Sequence, residues 1–216
     1  MEALLLLADG RFPGGGYAHS GGLEAGVAEG TVDDLDSLER FVIGRLATVG
    51  LSEAWLAAAA CTAAALPFAD EALARLDDEA EARIASPALR AAGRALGRGL
   101  RRAAIVVWPA AEGVPVAQQP VVLGAVSHAA GLTPLDAARA ALHGCLLTPL
   151  NAAPKLMAID MADALAIAGR AAALTDALVA DAIARVASSR PPVRSAPFLE
   201  ERAERHVSRE VRLFAS

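Results

Sequence analysis

Residues 86–102 read "SPALRAAGRALGRGLRR". A serine followed by a proline is a helix start. The Ser86 hydroxyl can cap the first turn, and Pro87 at the first helical position gives up an N–H that has no partner there. Arg90, Arg94, Arg98 and Arg102 recur every fourth residue and form one basic stripe. Gly93 and Gly97 form a seam of small residues along the same helix. A charge stripe by itself is a solvated face. The stretch predicts a helix that other backbone can approach closely on its glycine side.

Reading outward, helix follows helix. Leu35, Leu38, Val42, Leu46 and Val49 recur at helical spacing behind Thr31 and Asp34, which are spaced as a capping box. Ser52 is placed to cap an alanine-rich helix that Pro67 ends, and residues 70–84 are amphipathic and acidic. Thr133, Pro134 and Asp136 open another helix, which Pro149 and Pro154 are expected to interrupt. Thr175 is expected to start the last core helix, to about Ser188. No stretch alternates apolar and polar residues long enough for a sheet. The prediction is an all-α, single-domain helical bundle of about eight to ten helices over residues 1–189, with an extended C-terminal tail over 190–216. The tail has six arginines and four acids, so it is basic on an otherwise acidic chain. Such a tail can dock on its own body or on a partner.

Composition excludes several classes. The chain is 216 residues long and 55% hydrophobic but only 4% aromatic, because much of its apolar content is alanine, which favours helix. A net charge of −5 and the lack of a basic, aromatic-interleaved patch argue against nucleic acid. Cys61 and Cys145, far apart, fit free thiols in a reducing compartment. "MEALLLLADG" is too short and wrongly charged for a signal peptide, and the alanine-rich run 54–69 falls short of a membrane span. A cytoplasmic protein without a membrane segment is expected.

The stretch "RFPGGGYAHSGGLEAG", 11–26, is open to three readings. Gly16 and Gly21 have P-loop spacing, but Gly22 and Leu23 stand where a lysine and a hydroxyl are needed, and the only lysine in the chain is Lys155. A dinucleotide fingerprint fails because His19 occupies the third glycine position. "AHSGG" resembles a nucleophile elbow, with Ser20 as the nucleophile of a serine hydrolase and His128, His143 or His206 as its base. That motif needs a strand before the serine. The remaining reading is a rigid bend, in which Pro13 fixes φ, the glycines allow positive φ, and His19 or Ser20 caps a helix carrying Glu24 in its first turn. A β-branched residue at Gly16 is expected to disturb that bend. Metal ligation is weakly signalled: His143 and Cys145, two apart, point to different helix faces.

The residues of this corner also resemble a known family. Pro13, Gly15, Gly16, Tyr17, His19, Ser20, Gly22, Leu23 and Glu24 match in place the N-terminal signature of the urease accessory protein UreF. The ending "SAPFLEERAERHVSREVRLFAS" is similar to the UreF terminus, with Pro197, His206, Arg212, Leu213, Phe214 and Ser216 matching. The middle agrees more loosely, through the arginine-bearing helix and "NAAPKL" with Lys155. The chain departs from the family pattern at Ala158–Met161, Val207 and Ala215. The resemblance implies a non-enzymatic, all-helical, homodimeric chaperone of nickel insertion. It would bridge UreD (UreH in some systems) and the GTPase UreG, and so reach apo-urease. It implies no permanently bound cofactor, with nickel met only in transit. It places partner binding at Pro13, Gly15, Gly16, Tyr17, His19, Ser20, Gly22, Glu24, Lys155, His206, Arg212, Leu213, Phe214 and Ser216.

Overall fold

The computed structural model describes residues 1–208 and 212–215. Among them there is no strand, and the chain is an all-α bundle. The helices are α1 (Glu2–Ala8), α2 (Leu23–Ala28), α3 (Leu35–Arg45), α4 (Leu51–Ala63), α5 (Ala69–Ala82), α6 (Pro87–Val107), α7 (Gln119–Ala129), α8 (Pro134–Leu156), α9 (Met161–Arg170), α10 (Ala172–Ala187) and α11 (Pro197–Val207). A π turn, Leu46–Gly50, joins α3 to α4 without a break, so the two form one 29-residue rod.

That rod is the axis of the bundle. Ala54, Trp55, Leu56, Ala57, Ala58, Ala60, Cys61 and Ala63 of α4 are all buried, the mark of a helix apolar on every side. α7, α8 and α10 pack around it. Length and composition alone would let this rod cross a membrane, but its most apolar window is 61% buried inside the fold, as for a core helix.

The start signals of α6 and α8 act as read. Ser86 Oγ accepts from Leu89 N at 3.1 Å. Thr133 and Asp136 bond reciprocally across the first turn of α8. Three other local signals are overruled. The capping box of α3 is Asp34 with Ser37, while Thr31 Oγ1 donates to Gly26 O and closes α2 instead. Ser52 caps nothing, because the helix is already running through it. Pro149 and Pro154 both lie inside α8 rather than ending it. Each removes one backbone hydrogen bond, and burial of Pro149, Leu150, Ala152 and Ala153 in the core holds the helix together regardless.

The glycine seam of α6 works at close range. A Cβ on Gly97 would stand 2.2 Å from Ala117 O, and one on Gly99 2.5 Å from Gly14 O. Gly93 leaves room for the buried amide of Gln118, which bonds Glu81 and the Arg90 carbonyl. The arginine stripe is only half wet. Arg94 pairs with Asp77 and Glu81, and Arg90 donates to Ile84 O and Ala85 O.

The tail contains α11, which lies across α6 and α2. Its Glu200 accepts from Ser86 N, and its Glu204 accepts from Ala88 N and the Ser86 hydroxyl. Two carboxylates one turn apart on α11 therefore cap the N-terminus of α6, where anions are favoured. These bonds hold the Glu204 carboxyl below its ordinary value of 4.5, the Ser86 hydroxyl first among them. A lowered folded value means a contribution present in full above pH 4.5 and lost as pH falls through that lower value. We expect α11 to detach from α6 only in acid, followed by hydrogen exchange at the first turn of α6, and the acid step to vanish in Glu204→Gln.

Candidate functional site

The glycine corner sits between α1 and α2 and is pinned from below. Phe12 is buried and stacks on Trp108 at 5.9 Å. A short 3-10 turn, Gly16–Ala18, follows, and then the backbone swings into α2. The positive φ values fall at Gly15 (92°), Gly21 (65°) and Gly22 (89°). Gly16 is not among them, and a Cβ there would meet nothing within 4 Å. The expected sensitivity of Gly16 thus belongs to Gly22, whose added Cβ would also lie 3.2 Å from Leu199 Cδ2 of α11. Gly22→Ala is expected to lose about 1–2 kcal/mol in a urea titration, the usual cost of a left-handed L-residue, and Gly16→Ala close to none.

The turn points Glu24 inward, where it is 8% exposed. Its carboxylate accepts two backbone bonds from the far end of the chain, Leu213 N at 2.7 Å and Phe214 N at 3.1 Å. Ala215 N donates to Ala18 O at 2.7 Å. His206, buried at the end of α11, puts Nε2 at 3.3 Å from Phe214 O and 3.6 Å from Glu24 Oε2. Phe214 is buried, and Lys155 Nζ of α8 lies 5.6 Å from the centre of its ring. Residues 212–215 thus form a strap across the glycine corner.

Most of the predicted site residues converge here. Glu24, Lys155, His206, Leu213 and Phe214 are in one constellation, while Gly15 and Gly22 shape the bend. Ser20 Oγ accepts from Glu24 N at 3.2 Å and stabilises the turn. His19 is half-buried, and burial lowers its pKa. Around this core, Pro13, Gly16, Tyr17, Arg212 and Leu213 face outward, with Tyr17 74% and Leu213 69% exposed. Ser216 lies outside the described residues. Phe214, one of the partner-binding residues that the resemblance implies, is buried against the chain's own body.

The hydrolase reading fails here. Ser20 is fully buried, no strand precedes it, and its oxygen accepts a backbone N–H. No group of three or more His, Cys, Asp or Glu able to hold a metal exists among the described residues. Burial pushes the Cys61 thiol up to about 11 and the Cys145 thiol up to about 12.

Beneath the strap lies a cavity of about 700 Å³, bounded by the corner, the α3–α4 rod, α6, α8 and α11. Arg45, Glu53 and Cys145 line it, and of these the sequence drew attention only to Cys145. The available signal was two charges, Arg45 and Glu53, eight residues apart in an otherwise apolar helical run.

Fold and site together define a helical protein whose signature residues hold a terminal strap and present a surface, rather than perform chemistry. The UreF family model matches residues 32–187. The chain is 39% identical to the urease accessory protein UreF of Mycobacterium sp. (strain JLS), over all of this chain and 99% of the relative. It is 38% identical to UreF of Mycolicibacterium vanbaalenii and 35% identical to UreF of Mycobacterium tuberculosis (strain H37Rv), each over all of this chain and 99% of the relative. The chain belongs to the UreF family; it is an accessory protein and not an enzyme. The family model stops short of both the glycine corner and the strap, which the full-length relatives span.

Proposed function

We propose that this chain acts in the cytoplasm as a homodimeric scaffold for assembly of the urease metallocentre. It bridges UreD (UreH) to the GTPase UreG, so that nickel, as cargo, reaches apo-urease without a resident metal site on this chain. The observation that carries the reading is the pair of hydrogen bonds that Leu213 N and Phe214 N donate to the Glu24 carboxylate. It fuses two segments that match the family in sequence into one surface, and it leaves Tyr17 and Leu213 exposed on that surface. An exposed aromatic beside an exposed leucine and Arg212, on a backbone already fixed, is the composition of an interface anchor.

The test is affinity purification of the tagged chain co-expressed with UreD and UreG, with urease activity read in parallel. Both partners should be retained, and deletion of residues 210–216 should lose UreD with helix content nearly unchanged. Loss of neither partner on that deletion, or urease that matures equally well without this chain, would defeat the proposal.

A further inference from the structure

The cavity beneath the strap holds a cation without a counterion. Arg45 lines it at the point where α3 passes into the π turn. Its Nε is buried with no hydrogen-bond partner, and Arg45 makes no ion pair among the described residues. Its neighbours are the Cys145 thiol, which interacts with the guanidinium electrostatically and by a side-chain hydrogen bond, and the carboxyl of Glu53, which acts on it from beyond ion-pair distance. A guanidinium cannot shed its proton to relieve this, unlike a lysine. A buried charge of this kind is costly unless something pairs with it.

We propose that Arg45 is the anchor of a binding site for a free small monocarboxylate inside this cavity. The planar guanidinium fork matches a carboxylate in two parallel hydrogen bonds. Ser52 and Asn151 line the same space and supply further polar groups, while Val49 and Leu56 give the apolar wall that a short alkyl group needs. Single charge is favoured over double, because one guanidinium beside a carboxyl group cannot neutralise a phosphate dianion. Burial raises the pKa of Glu53, against the Arg45 charge that lowers it, which weakens Glu53 as a competing anion. Gly21 lies close over Arg45, where an added Cβ would come within 3.3 Å of Nε.

The test uses the full chain alone. Sodium acetate is titrated against sodium chloride at matched ionic strength, with thermal unfolding and saturation-transfer NMR as readouts. Acetate should raise Tm saturably, with half-saturation in the millimolar range expected for so small a ligand. Phosphate should bind about tenfold more weakly, and Arg45→Met should abolish the saturable part. Arg45→Lys, which keeps the charge but not the fork, decides the matter should the methionine variant not fold: it should weaken acetate about tenfold. The proposal is overturned by an unsaturable response equal to that of chloride, by phosphate binding as tightly as acetate, or by undiminished acetate binding in either variant.

Discussion

Glu24→Ala should free the C-terminal strap from the body. The change strands the N–H groups of Leu213 and Phe214, which have the Glu24 carboxylate as their acceptor. Hydrogen bonds to a charged acceptor are worth about 1.5–3 kcal/mol each, so the two together hold the strap by at least about 3 kcal/mol. Hydrogen exchange at Phe214 and Ala215 should accelerate by roughly two orders of magnitude, because each 1.4 kcal/mol is tenfold. UreD should be lost in co-purification, whereas the main unfolding transition should move little, since Phe214 is the strap's one contribution to the hydrophobic core among the described residues. Unchanged protection at Phe214 would show that Ala215–Ala18 and the Lys155–Phe214 contact hold the strap without Glu24.

The second large effect belongs to the core. A Cβ on Gly124 of α7 would stand 2.1 Å from Ala57 O, 2.7 Å from Ala60 Cβ and 2.8 Å from Cys61 N. All three atoms belong to α4, and two are backbone, so no side-chain rotation relieves the clash. Gly124→Ala must push α7 off the central rod, at an expected loss of about 3 kcal/mol in urea unfolding. Gly44→Ala is the control. Its Cβ meets nothing within 4 Å, and a helical glycine exchanged for alanine gains about 0.5–1 kcal/mol. The two substitutions are chemically identical, so opposite signs would locate the effect in packing; equal effects would refute the close approach of α7 to α4.

Local chemistry made much of this fold legible. Ser86 with Pro87, and Thr133 with Asp136, announce α6 and α8 because a cap is decided within four residues. Pro149 misled because its cost is local while its compensation, burial against the rod, is not. Ser52 misled for a similar reason: a π turn carries α3 into α4 with no cap at all. The site divides in the same way. The family-like residues at both ends were readable one by one. That Glu24 meets Leu213 across a separation of 189 residues was not, since no periodicity encodes such a contact. Arg45 belongs to no motif, and only the enclosing helices show that its Nε is buried without a hydrogen-bond partner.

The strap joins the corner to a segment 189 residues further along the chain. Glu24 therefore emerges from the ribosome long before its donors do, and a loop of that length is slow to close. Until Leu213 and Phe214 arrive, the Glu24 carboxyl lacks its two backbone donors. A partner that recognises the closed corner would ignore a chain in that state.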